Sequence, residues 1–192
     1  MANLDKLKAH LRGGGARANQ FRVILNVPFF VAGKGFTGGN NGEKMSVLCK
    51  ATSLPAMNLG EIPVPFRGRQ IYLAGDRAFD EPWTTTFLND TDFAIRNTME
   101  EWSNGINDLL NTRGFSDPTI YQTDMEVHQL DRDDKPLKSY IFHNCWPMTI
   151  SAIELSHDTT NAIEEFEVTW RYQSFEPSDL PRIFAGGDLS GA

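Results

Sequence analysis

The chain has 192 residues, of which 40% are hydrophobic and 22% are charged. This length allows one well-packed core and is short for two, since domains typically contain about 100–200 residues. No apolar run approaches the ~18 residues that cross a membrane, and the first residues lack the apolar region of a signal peptide. These features argue against a membrane protein, and we expect a single domain that is made and used in a cytoplasm.

The charge of the chain is unevenly distributed. Residues 1–119 contain 13 Lys and Arg against 12 Asp and Glu, and residues 120–192 contain 5 against 13, so net charges of +1 and −8 make up the total of −7. The first 22 residues are basic by themselves. A basic end and an acidic body favour head-to-tail association between copies, although the same pattern is also typical of solvated charge that has no partner.

An N-terminal arm, residues 1–18, is predicted to contain a short amphipathic helix. Asn3 can cap this helix, and the glycines at 13–15 end it. Its apolar stripe consists of Leu4, Leu7 and Leu11. Because about three turns of helix are not stable alone in water, we expect the arm to dock on its own body or on a neighbouring chain.

The arm is followed by a predicted strand, a glycine-rich loop and a second strand. Alternating residues from Phe21 to Val27 predict the first strand, and Met45 to Ala51 form the second. Between them, residues 33–38 match the dinucleotide-binding pattern G-x-G-x-x-G, but no helix is predicted next and no acidic residue lies about 20 positions later. We therefore interpret residues 33–42 as a hairpin loop that ends in an Asn41-Gly42 turn, and we expect no bound cofactor.

Residues 49–90 are the stretch around which the chain is organised, because short β-like runs alternate there with proline, glycine and charge. Pro63 and Pro65 alternate with apolar residues, so this segment is extended but lacks the N–H donors that a central strand needs. We expect these prolines to limit sheet pairing within the subunit. A turn is predicted at residues 75–77 and a strand at residues 83–88. The stretch therefore has the features of a surface that contacts another chain.

The residues expected to contact a second chain come from the arm and from this central stretch. Burial of their apolar members would supply affinity, and their charges would set orientation. The contact candidates are Leu4, Leu7, Leu11, Leu54, Ile62, Val64, Phe66, Arg67, Arg69 and Tyr72.

One long helix is predicted after the central stretch, beginning at Asn89 or Thr91 and ending at about residue 106. An aromatic and methionine stripe of this kind is most often part of a core, so we expect the helix to pack on a sheet. The stripe consists of Ile95, Met99, Trp102 and Ile106, which recur at helical spacing.

The rest of the chain is predicted to be antiparallel β-sheet as far as residue 175. Residues 124–130 and 137–145 flank a charged turn and form a hairpin, and residues 148–155 form a further strand. The clearest strand follows, with its polar face formed by residues such as Glu165 and Glu167 and its apolar face formed by Phe166, Val168, Trp170 and Tyr172.

The predicted fold is mainly β with one packed α-helix: an antiparallel β-sandwich or small barrel over residues 19–175, with protruding loops. A C-terminal tail, residues 176–192, is rich in Pro, Gly, Asp and Ser. We expect this tail to remain mobile until it is held by its few apolar anchors, Leu180, Ile183 and Phe184.

A cysteine, a histidine and an aspartate could form a catalytic set on paper. In the predicted hairpin Asp124 falls opposite His143, and Cys145 follows on the same face. A nucleophilic cysteine needs an exposed, electropositive pocket, whereas a mid-strand cysteine beside a tryptophan is typical of an inert core residue. We therefore expect Cys49 and Cys145 to be reduced core residues and no catalysis to occur.

Metal binding and nucleic-acid recognition are also disfavoured. His128, His143 and Cys145 lack a compact ligand spacing, and the contiguous Ser156-His157-Asp158 cannot form a triad by itself. The aromatic residues of the last strand alternate with acids, whereas nucleic-acid platforms interleave aromatics with Lys and Arg. We expect no metal site and no specific DNA binding.

Four segments resemble the corresponding stretches of tail tube proteins from contractile-tailed bacteriophages of the T-even type, the myoviruses. The segments are CKATSLPA, EIPVPFRGRQIYLAGDR, FDEPWTTTFLND and RNTMEEWSNGIN. The similarity extends from Phe21 to Phe175 and is densest between Cys49 and Asn104. Because several separate motifs recur in the same order, the resemblance is specific. It departs in the glycine-rich residues 33–42 and beyond Phe175.

This resemblance implies a structural virion protein with no enzymatic activity. By the resemblance, six copies form a ring whose sheets join around a central channel, and rings stack into the inner tube through which the genome passes. The implied partners are other copies of the chain, the tail sheath protein, and the baseplate or tube initiator, tape measure and tail terminator proteins. Assembly would occur in the host cytoplasm, and DNA would pass without specific binding.

Acidic residues are the candidates for the channel wall, since an acidic surface repels phosphate and lets DNA slide. Glu165 and Glu167 are the first choice, and Asp124 and Glu126 are the second.

Three alternatives remain open at this point. A tube protein of a bacterial contractile injection or secretion system has the same architecture. A ligand-binding β-barrel and an enzyme that uses Cys145, His143 and Asp124 belong to other classes, which rings or tubes in electron micrographs would exclude.

Overall fold

The computed structural model describes residues 4–11, 14–32 and 41–179. Most of the glycine-rich segment and the anchors predicted in the C-terminal tail lie outside these residues. The helices are α1 (Leu4–His10), α2 (Phe29–Ala32), α3 (Asn41–Leu48), α4 (Ala94–Ile106) and α5 (Pro118–Tyr121). The strands are β1 (Phe21–Leu25), β2 (Cys49–Thr52), β3 (Asn58–Phe66), β4 (Arg69–Ala78), β5 (Trp83–Leu88), β6 (Thr123–Leu130), β7 (Pro136–Ile150), β8 (Glu165–Arg171) and β9 (Ser174–Pro177).

Two antiparallel sheets share the long strand β7. The first part of β7 pairs with β6 and with β9, and β6 also pairs with β1. These four strands form sheet A. The last part of β7 pairs with β8, which continues through β5 to β2 and forms sheet B. The prediction of a mainly β, antiparallel fold is confirmed. Within the described residues the strand path ends in β1 and β2 and does not close into a barrel.

The core lies between the inner faces of the two sheets and helix α4. Trp83 of sheet B stacks on Phe142 of sheet A, with ring centroids 4.4 Å apart. Trp102 of α4 packs on Trp170 at 5.6 Å. All three of these buried indoles donate hydrogen bonds: Trp83 to the Ser53 carbonyl at 2.9 Å, and Trp102 to the Tyr121 carbonyl and Trp170 to a buried threonine hydroxyl at 2.8 Å each. The aromatic core therefore fixes the two sheets and the helix without unpaired indole N–H groups.

Helix α4 packs on the sheet as predicted, but it begins later than the predicted start at Asn89 or Thr91. Phe93 has a left-handed backbone, with φ of 52°, which an α-helix cannot include. The side chain of Asp92 accepts a hydrogen bond from the backbone N–H of Ala94 at 3.0 Å. The helix consequently starts at Ala94 rather than at Asn89 or Thr91.

The predicted Asn41-Gly42 turn and the predicted start of a strand at Met45 are wrong. Residues 41–48 form helix α3, and the strand β2 begins only at Cys49. Glu, Lys, Met and Leu all favour helix, and Met45 is fully buried where α3 packs on β1. Tertiary burial of Met45 therefore decides the local structure.

Strand β7 is longer than predicted and contains a bulge. It runs without a break from Pro136 to Ile150, and residues 151–164 contain no strand, so the separate strand predicted at 148–155 is wrong. The pairing with β6 shifts between Met125 and Thr123, and Asn144 has a left-handed φ of 57°. Such a bulge bends the strand, which allows β7 to pass from sheet A to sheet B.

The same bulge separates the residues of the possible catalytic set. His143 Nδ1 lies 3.2 Å from Asp124 Oδ2, which confirms that these two residues are opposite each other. Cys145, however, points into the core and is fully buried, so the expectation that it shares their face is wrong. The extra residue, Asn144, reverses the side-chain alternation at this point.

Both cysteines are free and buried thiols. Burial raises the pKa of Cys49 to about 12, and burial together with the nearby Asp124 charge raises the pKa of Cys145 further. Because the thiolate is the reactive form, neither side chain has the properties of a nucleophile near neutral pH. Among the described residues, no group of His, Cys, Asp and Glu could hold a metal ion, and no helix is long and apolar enough to span a bilayer.

We predict that neither native cysteine reacts with a thiol reagent such as Ellman's reagent at pH 8, because both thiols are buried and protonated. Unfolding in guanidinium chloride should release both for reaction. A Ser156→Cys variant, in an exposed loop, provides the positive control because its added thiol should react in the folded protein. Rapid modification of Cys145 in the native chain would contradict this assignment.

Candidate assembly surfaces

Strands β3 and β4 form a hairpin that is separate from the two main sheets. Within the described part of the chain these strands pair only with each other, and every residue of β3 is exposed. At about 3.3 Å per residue the hairpin is roughly 30 Å long. Its tip is a two-residue turn in which Arg67 and Gly68 have positive φ values of 45° and 80°, the geometry of a type I′ turn. The hairpin therefore extends from the body as a regular two-stranded ribbon.

One face of the hairpin is apolar. The register pairs Ile62 with Leu73 and Val64 with Ile71, so that these side chains share a face with Phe66. Their exposed fractions lie between 38% and 59%. We call this set the hairpin face: Ile62, Val64, Phe66, Ile71 and Leu73. An apolar surface of this kind on a protruding element is typical of a contact site.

The prolines of β3 permit pairing with β4 but, as expected, limit pairing within the subunit, because β3 has no other partner strand among the described residues. Pro63 lies opposite Tyr72, and Pro65 lies opposite Gln70. Because proline has no N–H, it is tolerated in a paired strand where that group would point away from the partner strand. The outer edge of β3 thus lacks two donors and is unsuited to pairing with a further strand. The hairpin is better suited to contact through its apolar face.

The turn predicted at residues 75–77 is also wrong, because β4 continues to Ala78. The pairing of β3 and β4 instead shifts between Leu59 and Glu61, next to Gly60. A Cβ atom on Gly75 would lie only 3.0 Å from the backbone carbonyl of Gly60. Glycine is therefore favoured at this irregularity, where the backbones of the two strands come close together.

The N-terminal arm is helical, as predicted, and its apolar stripe is open to solvent. Leu4, Leu7 and Leu11 have exposed fractions of 51% to 60%, and Lys6 and Lys8 are exposed beside them. The described part of the chain leaves this stripe largely uncovered.

The other predicted contact residues lie close to the hairpin. Leu54 is exposed in the connection that leads to β3. Arg67 lies at the turn, with its guanidinium 5.3 Å from the centre of the Phe66 ring, and Arg69 pairs with Phe66 across the strands. Tyr72 lies on the face opposite to the hairpin face. The tip is therefore basic as well as apolar.

Sequence reasoning missed two pairs of exposed apolar residues. Ile71 and Leu73 alternate in the same way as the apolar residues of β3, but only the register places them on the same face. Leu109 and Leu110, after helix α4, are 89% and 91% exposed. Asp108 holds their turn by accepting hydrogen bonds from the backbone N–H groups of Leu110 and Asn111, at 2.7 and 3.0 Å.

The acidic candidates for a channel wall lie on the outer faces of the two sheets. Glu165 and Glu167 are on sheet B, where Glu165 forms an ion pair with Lys50. Asp124 and Glu126 are on sheet A, beside two histidines. Because the inner faces of the sheets pack on each other, these two pairs point to different sides of the molecule.

The two outer faces differ in their balance of charge. The face of sheet A carries three carboxylates, Asp124, Glu126 and Glu176, and one cation, Arg22. Glu126 lies 3.2 Å from His128, and His143 lies between Asp124 and Glu176 at 3.2 and 3.5 Å. The face of sheet B has two carboxylates and two cations, Lys50 and Arg171. Sheet A therefore presents the more acidic face while its histidines are neutral.

The sequence is similar to those of phage tail tube proteins. The profile of the family described as phage tail tube protein matches residues 16–178. The tail tube protein of Serratia phage KSP90 is 30% identical over 174 residues, which cover 90% of this chain and 95% of that protein. Tail tube protein gp19 of Enterobacteria phage T4 is 34% identical over 166 residues, which cover 86% and 93%.

Solved structures show the same fold at much lower sequence identity. The sheath/tube terminator of an extracellular contractile injection system, PVC, has a TM-score of 0.59 at 13% identity and covers 85% of this chain and 96% of that chain. The tube-terminating cap of the anti-feeding prophage has a TM-score of 0.58 at 16% identity and covers 85% and 90%. The chain belongs to the phage tail tube protein family, and it is a structural component of the tail tube of a contractile-tailed phage rather than an enzyme.

Proposed function

We propose that six copies of the chain form a ring and that rings stack, through the hairpin face, into the inner tube of the tail. The tube is the conduit through which the genome leaves the virion. The observation that carries this proposal is the apolar face of the β3–β4 hairpin, which its own subunit leaves exposed. A neighbouring ring supplies the surface that covers it.

The magnitudes favour an assembly of many copies over an isolated pair. Full burial of an exposed apolar side chain contributes roughly 1.5–3 kcal/mol, and the five residues of the hairpin face are about half exposed, so they contribute about 4–8 kcal/mol before costs. Association costs on the order of 4–15 kcal/mol in lost translational and rotational freedom. A single pair of subunits therefore gains little net free energy of association. Two rings gain the burial free energy of all their hairpins but lose translational and rotational freedom only once.

Open sheet edges support closure of the ring. Sheet A ends in β1 on one side and in β9 on the other, and neither strand pairs with a further strand of the described chain. Unpaired edges are templates for pairing with another chain. Pairing of β1 in one copy with β9 in the next joins the sheets around a central channel.

We place the face of sheet A towards the channel. The edges of sheet A join neighbouring copies in this proposal, and its outer face carries more net negative charge than the outer face of sheet B. Carboxylates such as Asp124 and Glu126 repel DNA phosphates, so that the genome slides without binding. Glu165 and Glu167, on sheet B, then face away from the channel.

The proposed partners follow from position in the tail. The tube lies inside the tail sheath protein, begins at the baseplate or tube initiator, encloses the tape measure protein and ends at the tail terminator. Solved structures with this fold come from a sheath/tube terminator and a sheath-tube complex of an extracellular contractile injection system and from the baseplate of the anti-feeding prophage. A bacterial injection-system tube shares the fold at 11–16% identity, whereas phage relatives share 30–34%. The phage tail is therefore the better assignment.

We predict that Ile71→Asp abolishes or greatly shortens tubes in electron micrographs, because it places an unpaired charge in a buried contact. The melting temperature of the unassembled subunit should not change, since the hairpin adds little to the core. Gln70→Asp is the matched control, because Gln70 neighbours Ile71 on the opposite face. Long tubes from the Ile71→Asp variant would contradict stacking through the hairpin face.

We predict that Glu126→Cys and Glu167→Cys differ in labelling once tubes have formed. A small maleimide should reach both cysteines, whereas a maleimide that carries a large polyethylene glycol chain should label only Glu167→Cys. The unassembled subunits should accept the large reagent at both positions. The opposite pattern in tubes would place sheet B towards the channel.

A further inference from the structure

A groove runs between helix α4 and the segment that follows β7. Phe93, Arg96, Asn97 and Glu100 lie three or four residues apart and form one wall. Ile153, Leu155 and Glu164 form the other wall, and the volume enclosed is about 330 Å³. We call this the α4 groove. Leu155 is 80% exposed, and the neighbouring Ile163 is 67% exposed, so the second wall presents uncovered apolar surface.

The walls of the α4 groove are held in place by hydrogen bonds. Arg96 Nη1 donates to the carbonyl of Ser151 at 2.6 Å, and its Nε donates to Glu100 at 2.6 Å. The same guanidinium lies 5.3 Å from the centre of the Phe166 ring. Asn89 donates to Glu164 Oε2 at 3.0 Å. The groove is therefore a built feature, and Arg96, its cation, is already engaged.

The charge of the α4 groove is complementary to that of the arm. Glu100 and Glu164 line the groove, and Glu154 lies exposed between its two wall residues Ile153 and Leu155. Helix α1 combines an exposed leucine stripe with the cations Lys6 and Lys8. An apolar and basic helix matches an apolar and acidic groove in both respects.

A second hollow, beside α3, is a poorer match for a basic helix. The hollow is lined by Glu43 and Asp90, and Asp90, together with Asp92, is bound by Lys44 at 3.1 and 2.5 Å. This pairing raises the pKa of Lys44 and lowers the pKa of both aspartates, so two of the three carboxylates here already share a cation. In the α4 groove, by contrast, the lining cation Arg96 pairs with one of three carboxylates, Glu100.

The base of the arm lies at the opposite end of β7 from the groove. The carbonyls of Arg17 and Gln20 accept hydrogen bonds from Gln129 and Leu130, which tie the base of the arm to the β6–β7 turn. Residues 12–16 span at most about 18 Å, and the centre of α1 lies about 6 Å further. The groove follows the other end of β7, and the two parts of this strand on either side of Asn144 are about 27 and 20 Å long. This separation favours docking of the arm on a neighbouring copy.

We propose that helix α1 of one copy lies in the α4 groove of a neighbouring copy. Leu4, Leu7 and Leu11 pack on the apolar walls, and Lys6 and Lys8 lie near the carboxylates. The contact is heterologous, because the arm and the groove are different surfaces, and it therefore repeats from copy to copy in an assembly. This inference rests on the proposed tube, and it names the surface that covers the arm.

Disulfide trapping in mixed tubes tests this contact. One batch of full-length protein carries Leu7→Cys and another carries Leu155→Cys, and the two are assembled together and mildly oxidised. We expect a covalent dimer on a non-reducing gel from mixed tubes and none from tubes of either variant alone. The native cysteines are buried and do not interfere. Tubes of normal length without this dimer would overturn the inference and leave the proposed tube intact.

Two further outcomes are informative. A dimer between Leu110→Cys and Leu155→Cys copies, in place of the first dimer, would show that the exposed turn at 109–110 fills the groove, and would overturn the inference. Failure of the unmodified chain to form rings or tubes would overturn the proposed function together with this contact.

A charge exchange provides an independent measurement that does not depend on cysteine chemistry. Lys8→Glu and Glu154→Lys should each reduce tube yield, and the double variant should restore it, because every contact then regains opposite charges. Asp158→Lys, in the same exposed segment but outside the groove, is the control and should assemble normally. A double variant that assembles no better than the single variants would contradict the pairing.

Discussion

The main physical constraint on this protein is an apolar surface that the subunit cannot bury by itself. The hairpin face lies on a two-stranded ribbon that pairs with neither main sheet, so no core is available to cover it. A soluble monomer that exposed such a face would be prone to uncontrolled association. In the proposed tube, assembly in a defined geometry resolves this constraint, because each copy offers its hairpin face to a neighbouring ring. On this proposal, the tail tube is a consequence of where the chain leaves its apolar residues.

The core explains why the chain can leave these surfaces free. Stacking of Trp83 on Phe142 joins the two sheets, and Trp102 attaches helix α4 to sheet B through Trp170. The bulge at Asn144 lets β7 take part in both sheets. With stability concentrated in this centre, the hairpin, the arm and the sheet edges are available for contacts between copies.

The fold was largely predictable because alternation and helical spacing are local signals, as in β5, β8 and α4. The faces were less predictable, because they depend on register. Tyr72 was selected as a contact residue, yet its neighbours Ile71 and Leu73 complete the hairpin face. The inward position of Cys145 required a bulge that alternation alone does not indicate, and α3 required the burial of Met45. The contact residues could be predicted because apolar residues in protruding segments indicate a binding surface. The surfaces that cover them belong to a second chain, whose position the sequence does not specify.

The most direct measurement is a cryo-electron microscopy structure of tubes assembled from the unmodified chain, in which the exposed area of the hairpin face is compared with that of the isolated subunit. Our account predicts that Ile62, Val64, Phe66, Ile71 and Leu73 become buried against a copy in the adjacent ring. Tubes in which this face remains open to solvent, or folds back on its own subunit, would contradict the account.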